Sequence, residues 1–168
     1  LESEVRVKFL KNFQPNRVAS ILEHVHSDDA ADILNEQTVE FRDEIISNID
    51  KEEVASNILE LIHYEDGSAG ALMAKELVKA NLNWQVVQCI EEIRRQASKL
   101  EKIYSVYVVD DRNKLLGRVS LKKLLLASDD VYVRDIFDDD VKAVFAYDSE
   151  EDIAHMMSKY DFDAIPVV

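Results

Sequence analysis

The sequence is poor in the residues that cross-link a chain, bind zinc or span a membrane, and each shortage excludes a class of protein. It has a single cysteine, Cys89, so no disulfide framework holds it together. Its four histidines and Cys89 form no pair at the spacing of zinc ligands. No apolar run reaches the roughly 18 residues of a membrane span, and no signal peptide is present. We therefore expect the chain as given to be soluble and cytosolic, with Cys89 a buried, reduced thiol.

Basic residues are scarce relative to acidic ones: 20 Lys and Arg stand against 34 Asp and Glu, and the formal net charge is -14. Such a surface repels phosphate backbones and anionic headgroups, which argues against nucleic-acid and membrane-surface partners. It attracts cations, although a merely solvated acidic surface is the simpler interpretation of the charge alone. The apolar fraction of 47% is ample for a core, and the length fits one or two small domains.

Proline is rare as well, and the first of the two prolines opens a helix. Residues 1–64 show the apolar spacing of helices. Pro15 stands in a first turn, where its missing N–H leaves no hydrogen bond unmade, and Ser27 and Thr38 are predicted N-caps of later helices. Turns of a few residues separate these segments. The pattern predicts a right-angled or superhelical stack of short helices.

Glycine is the third scarce residue, and two of the three glycines mark a change of pattern. Gly67 and Gly70 lie in the turn-like segment 64–73, after which strand and helix patterns alternate. Ser120 and Ser149 are predicted N-caps in this second part. The predicted strands are 77–82, 104–109, 115–119, 141–145 and 164–168, and the predicted helices are 84–97, 121–126, 133–137 and 149–159.

This order corresponds to one complete β-α-β-β-α unit followed by half of a second copy. A core strand needs neighbours on both sides. Because the chain stops within or at the end of the last predicted strand, we expect it to be a piece of a longer protein.

Several motifs of the chain together resemble one known family. The segments YSVYVVDDRNKLLGRVSLKKLLLA and YDFDAIPVV resemble a CBS-domain pair. The preceding HSDDAADIL and YEDGSAGALM, with SEEDIAHMMSKYDF near the end, make the whole similar to the cytosolic half of the MgtE magnesium channel family. The resemblance implies an α + α/β fold, with a helical, superhelical N-terminal domain over 1–71, a first CBS domain over 72–128 and a partial second CBS domain over 129–168.

The resemblance also implies a function. The family is a homodimeric channel, joined through its CBS domains, whose cytosolic part senses Mg²⁺. Bound Mg²⁺ bridges acidic faces of the helical and CBS domains and favours the closed state. The transmembrane channel domain of such a protein is missing here, and the full protein would hold this part at the cytoplasmic face of the cell membrane.

Two aspartates early in the chain are the first candidate ligands. Asp28 and Asp32 are four residues apart in a predicted helix and so share a face. First-turn acids complement the helix dipole, a contribution of about 0.3–1 kcal/mol, which explains Asp28 but not Asp32. The resemblance implies that both contact Mg²⁺, which prefers hard oxygen ligands.

The second candidate site lies on the last predicted helix. Glu151 and Ser158 are seven residues, two turns, apart, and Ser158 lies in the last turn, where carbonyl groups lack helical partners. We expect Glu151, that carbonyl and Asp161 to converge on one cation, and a solvated acidic helix with a polar exit explains the pattern equally well. The resemblance implies that Glu151, the Ser158 carbonyl and Asp161 bind Mg²⁺. The acidic run 138–140 is more simply a solvated turn, with diffuse attraction of cations as the alternative.

Two other classes of function remain open. CBS domains often bind adenosine nucleotides such as ATP through a Ser or Thr followed three residues later by an Asp, but Ser120 is followed here by Lys123, which cannot accept hydrogen bonds. Lys122 and Lys123 could instead contact phosphates. The alternative is thus a nucleotide-sensing CBS module of another effector. An enzyme is not expected, because neither a nucleophile motif nor a Gly-rich phosphate loop is present.

Overall fold

The computed structural model describes residues 3–97, 100 and 102–168, and the chain divides into two compact units. The first unit extends to Lys75 and also includes Phe145–Ile153; the second comprises Glu76–Val144 and Ala154–Val168. Within the described ranges, every helix is too short or too polar to cross a bilayer.

The first unit is helical, as the apolar spacing predicted. Its helices are α1 (Ser3–Leu10), α2 (Pro15–Leu22), α3 (Ser27–Asn35), α4 (Val39–Ser47), α5 (Glu52–Ile62) and the single turn α6 (Ala69–Leu72). Pro15 begins α2, and Thr38 occupies the N-cap position of α4, both as predicted. The prediction for Ser27 was wrong, because His26 occupies the N-cap position of α3. The Ser27 hydroxyl instead accepts the backbone N–H of Lys75 at 3.1 Å, so a tertiary contact takes the place of the cap.

The core of the first unit is formed by one apolar face of each of the helices α2 to α5. Its buried members are Val18, Ala19, Leu22, Ala30, Leu34, Ile45, Ile49 and Ile58. Glu23, directly after α2, accepts the backbone N–H groups of Asp50 and Lys51 at 2.7 and 3.3 Å. These donors stand at the start of α5, so a side chain from one helix caps another.

The segment Phe145–Ile153 is joined to the first unit by backbone hydrogen bonds. Ala69 N–H donates to the Asp148 carbonyl at 2.9 Å, and Gly70 N–H donates to the Ala146 carbonyl at 2.8 Å. A Cβ on Gly70 would lie 2.4 Å from ring atoms of Tyr64, so the close approach of that ring requires glycine.

The second unit contains a small mixed sheet in the order β1-β2-β3. Strand β1 (Lys79–Asn81) is parallel to β2 (Val106–Val109), and β2 is antiparallel to β3 (Leu115–Val119). Helix α7 (Val86–Gln96) provides the crossover that a parallel pair needs, and α8 (Leu121–Leu126) follows β3. The core consists of buried residues Val78, Ala80, Val86, Cys89, Val106, Val108, Val119, Leu124 and Val133. The predicted burial of Cys89 is therefore confirmed.

The last part of the chain is less regular than its sequence predicted. A 3₁₀ turn, Val133–Asp135, replaces the predicted helix 133–137. The predicted strands 141–145 and 164–168 are reduced to one parallel bridge between Val144 and Val167. Pro166 offers a carbonyl but no N–H to a ladder, which limits the pairing there. Helix α9 (Glu150–Tyr160) forms as predicted, and its cap is confirmed, since the Ser149 hydroxyl accepts the Asp152 N–H at 3.2 Å.

Candidate functional site

Helix α3 presents carboxylates at its start and one turn later. Asp28 and Asp29 lie in the first turn, and Asp32 is exposed on the next. The Oδ1 atom of Asp28 is inaccessible to solvent and has no hydrogen-bond partner in the part of the chain that the structure describes. A buried carboxylate oxygen without a partner is costly, so this atom is a candidate ligand for a cation.

The carboxylates on helix α3 also repel one another. Desolvation raises the pKa of Asp32, and the neighbouring charges of Asp28 and Asp29 raise that pKa further. The positive charge of Arg6 lowers the pKa of Asp32 and so offsets part of this rise. The Arg6 guanidinium itself forms a bidentate ion pair with Glu36, the residue directly after α3. The face of α3 therefore carries carboxylates that repel one another, and a bound cation would relieve that repulsion.

His26 was missed by the sequence reasoning. One of its ring nitrogens and an Asp28 carboxylate oxygen lie within 4.8 Å of each other. The sequence signal that could have identified His26 as a candidate ligand was its place two residues before Asp28, where it occupies the N-cap position of α3. Mg²⁺ prefers oxygen ligands, whereas imidazole suits transition metals, so Asp28 is the better magnesium ligand of the two.

The candidate ligands on α9 lie at opposite ends of the helix. Glu151 is exposed in the first turn, and Ser158 lies in the last turn. Asp161 follows the helix in the left-handed conformation (φ 54°), and the Phe162 N–H donates to the Met157 carbonyl at 3.0 Å. Among the described residues no backbone N–H is bonded to the Ser158 carbonyl, so that oxygen is available to a ligand.

A cavity of 290 Å³ lies in the second unit, and one predicted metal ligand, Asp161, is among its lining residues. It is lined by Tyr104, Ser105, Tyr107, Arg118, Tyr160, Asp161, Phe162, Asp163 and Ala164. The Tyr160 and Phe162 rings stack with centroids 5.6 Å apart, and the Arg118 guanidinium lies 5.9 Å from the Phe162 centroid. Burial raises the pKa of Tyr107, so its phenol stays neutral. Flat rings beside a guanidinium suit a planar aromatic ligand that carries an anionic group.

Gly117 determines how the Arg118 backbone is held. Arg118 N–H donates to the Asp138 carbonyl at 2.9 Å, and Asp138 N–H donates to the Arg118 carbonyl at 2.7 Å. A Cβ on Gly117 would lie 2.2 Å from the Asp138 carbonyl oxygen. Only glycine at position 117 therefore lets the segment that carries Asp138 approach β3 beside the cavity.

The predicted nucleotide-contacting residues lie outside this lining. The Ser120 hydroxyl accepts the Lys123 N–H at 3.2 Å and so caps α8, as predicted. Lys122 and Lys123 are exposed, and neither lines the cavity. The signal that could have located the cavity was aromatic: Tyr104 and the YDFDA segment carry most of its rings.

Comparison with known proteins identifies the family. Residues 1–67 match the MgtE intracellular N domain, and residues 69–130 match the CBS domain. A crystal structure described as the cytosolic domain of the Mg²⁺ channel MgtE in complex with ATP superposes with a TM-score of 0.91 at 31% identity, covering 100% of this chain and 68% of that one. The chain belongs to the MgtE family of magnesium transporters.

Further relatives agree with this assignment. A crystal structure of the soluble part of a magnesium transporter has a TM-score of 0.90 at 36% identity, covering 98% of this chain and 64% of that one. The magnesium transporter MgtE of Enterococcus faecalis is 43% identical over 115 residues, covering 68% of this chain and 25% of that protein. The MgtE of Thermus thermophilus is 36% identical over 108 residues, covering 64% and 24%. The chain thus spans about a quarter of the length of these two curated relatives.

The family confirms the fold expected from the motifs, a helical N-terminal domain followed by a CBS region, and the chain corresponds to the cytosolic domain of a membrane transporter. The named relatives are transporters or their parts rather than enzymes. The domain limits 1–71, 72–128 and 129–168 stay predictions. The assignments of Asp28, Asp32, Glu151, Ser158 and Asp161 as magnesium ligands also stay predictions.

Proposed function

We propose that this chain is the magnesium-sensing and gating region of a magnesium channel or transporter, in which Mg²⁺ bridges acidic faces of the helical and CBS domains and favours the closed state. The observation that carries the proposal is the Asp28 Oδ1 atom, which is inaccessible to solvent and lacks a hydrogen-bond partner among the described residues. The magnesium-transporter relatives supply the identity of the ion.

The residues on α3 fit the requirements of Mg²⁺. Asp28 and Asp32 offer hard carboxylate oxygens, and exposure of Asp32 leaves room for the waters that Mg²⁺ retains. Bound Mg²⁺ would supply positive charge to a helix face whose carboxylates repel one another. An ion that binds one arrangement of the protein in preference to another stabilises that arrangement by mass action.

On α9, we assign the Ser158 carbonyl and Asp161 to a cation at the end of the helix, and Glu151 to a cation near its start. Seven residues of helix correspond to a rise of about 10.5 Å, which is too far for Glu151 and the Ser158 carbonyl to share direct contact with one small ion. The Ser158 carbonyl lies at the negative end of the helix dipole, where a cation is favoured.

Thermal unfolding with and without MgCl₂ tests the α3 ligands. We expect Mg²⁺ to raise the melting temperature of the wild type and the Asp28→Asn/Asp32→Asn variant to lose part of that increase. The matched control is Asp139→Asn/Asp140→Asn, which removes the same charge from an exposed acidic turn and should respond as the wild type does. Equal responses of both variants and the wild type would exclude Asp28 and Asp32 as ligands.

We further propose that the chain forms a homodimer through its CBS region. Leu125 and Leu126 on α8 are each 77% exposed, an unusual amount of apolar surface for two adjacent leucines. Sedimentation should detect a dimer that the Leu125→Lys/Leu126→Lys variant cannot form. A monomeric wild type at high protein and magnesium concentration would contradict this proposal.

Adenosine-nucleotide binding in the cavity is the second candidate function. The specific observation is the cluster of Tyr160, Phe162 and Arg118 around the 290 Å³ cavity, and one relative was solved in complex with ATP. Calorimetric titration with ATP should give binding that Phe162→Ala weakens. Heats equal to those of dilution alone would refute this candidate while leaving the magnesium proposal intact.

A further inference from the structure

The start of α6 is completed by residues that come much later in the sequence. The first N–H groups of a helix have no partner within the helix itself. In α6, those of Ala69 and Gly70 donate to the carbonyls of Asp148 and Ala146. A single turn of helix is not stable on its own, because it makes too few bonds to offset the ordering of its backbone. The α6 turn therefore depends on these distant carbonyls.

The start of α9 depends in return on the segment before α6. Glu150, the first residue of α9, donates its N–H to the Gly67 carbonyl at 2.9 Å. Ser68 and Ser149, which directly precede the two helices, form an antiparallel bridge. Backbone hydrogen bonds thus join the two helix starts in both directions, and all of these residues belong to the first unit.

Residues 145–149, here called the strap, form a turn of their own. The Phe145 N–H donates to Asp148 Oδ2 at 2.8 Å, and the Asp148 N–H donates to the Phe145 carbonyl at 3.0 Å. Each residue of the strap is exposed or half-buried. The Tyr147 ring is 81% exposed and meets the Tyr64 ring edge-on, with centroids 5.7 Å apart. Attachment by a few directional bonds, with little buried apolar surface, is typical of a region that opens locally.

We propose that the strap is a releasable latch: its attachment to α6 keeps the first turn of α9 folded, so that both helix starts open and close together. Release of the strap removes the acceptors of Ala69 and Gly70 and at the same time separates Glu150 from the Gly67 carbonyl. Both helix starts then lose partners in one step. The inference does not depend on ion binding, although Glu151 lies on the turn that the latch holds.

Hydrogen–deuterium exchange, measured by NMR in magnesium-free buffer, tests this coupling. The variant is Ala69→Pro, which removes the donor to the Asp148 carbonyl, and proline is compatible with the first position of a helix. Ser68 already has the extended backbone (φ -97°, ψ 157°) that a residue before proline adopts. The matched control is Val39→Pro, at the first position of α4 and also preceded by an extended residue. Among the described residues, the Val39 N–H donates no backbone hydrogen bond.

We expect Ala69→Pro to accelerate amide exchange at both Gly70 and Glu150 about fivefold, the effect of losing one backbone hydrogen bond. Exchange at Ile58, in the core of the helical unit, should not change, and Val39→Pro should leave Gly70 and Glu150 as in the wild type. Unchanged exchange at Glu150 would overturn the inference, because the α9 turn would then stay folded without the latch. Equal acceleration at Ile58 would also overturn it, because the effect would then be a general loss of stability.

A second variant avoids adding bulk at Ala69, which is buried. Asp148→Ala removes the acceptor of the Phe145 N–H and so loosens the strap itself, whereas Asp148→Asn keeps an acceptor oxygen. In Asp148→Ala, exchange at Gly70 and Glu150 should rise by factors that agree within about twofold, because one opening exposes both amides. The rise should be smaller in Asp148→Asn. A rise at only one of the two amides, or at neither, would overturn the inference even if Ala69→Pro failed to fold.

Discussion

Substitution of Gly117 by alanine should destabilise the second unit by an amount that the structure allows us to work out. The added Cβ would lie 2.2 Å from the Asp138 carbonyl oxygen and 2.7 Å from a ring carbon of Phe137. Ordinary contacts of this kind begin near 3.4 Å. The segment that carries Phe137 and Asp138 must therefore retreat from β3 by about 1 Å.

Three contributions determine the size of the effect. Overpacking costs about 1–3 kcal/mol. Retreat of the segment also stretches the two backbone hydrogen bonds between Arg118 and Asp138, each of which contributes about 0.5–1.5 kcal/mol. Alanine restricts the unfolded chain and so restores about 0.4–1 kcal/mol. Together these values predict that Gly117→Ala lowers the free energy of unfolding by about 3 kcal/mol, within a range of roughly 1–6 kcal/mol.

Urea unfolding followed by fluorescence is the assay, because the single tryptophan, Trp84, packs against the core of the second unit. The Phe137→Ala background is the control for the ring contact. In the Phe137→Ala background, Gly117→Ala should still cause most of its loss in the free energy of unfolding. The reason is that the closer contact is with the Asp138 backbone oxygen, which no side-chain change removes. A Gly117→Ala protein as stable as the wild type would refute the close approach.

Three further outcomes are expected. Backbone N–H donors to Glu23 lower its pKa, so Glu23→Gln should melt below the wild type at neutral pH, and this difference should disappear as the pH falls through the folded-state pKa. Leu34→Ala, at a fully buried position, should cost about 2–5 kcal/mol in chemical unfolding; a loss under about 1 kcal/mol would contradict its place in the core. Burial raises the pKa of the Cys89 thiol to about 11, so a thiol reagent at pH 8 should label the protein only after denaturant is added.

Local sequence signals predicted the helices well. Their apolar period, Pro15 at the start of α2 and the Ser149 cap of α9 all depend on interactions within a few residues. The resemblance carried by the motifs predicted the family and the helical-plus-CBS fold. Ser27 shows the limit of this reasoning, because its hydroxyl bonds a residue 48 positions away.

Non-local pairing accounts for most of what could not be predicted. The apolar runs 141–145 and 164–168 were predicted to be strands. The number of paired residues depends on the partner segment as well as on the run itself, and in the structure the two runs share a single bridge. The cavity depends on Arg118 and Tyr160 meeting in the fold, which no spacing indicates. At α3, spacing predicted that Asp28 and Asp32 share a face. Only the structure shows that Asp28 Oδ1 is buried without a hydrogen-bond partner among the described residues.

Magnesium-dependent compaction is the most direct test of the sensing function. Small-angle X-ray scattering of the wild type, with and without MgCl₂ at constant ionic strength, measures the radius of gyration directly. We predict a smaller radius with Mg²⁺ and a reduced change in Asp28→Asn/Asp32→Asn, since repulsion between carboxylates is relieved only when the ion binds. A wild-type radius that stays constant from zero to several times physiological magnesium would contradict the sensing function.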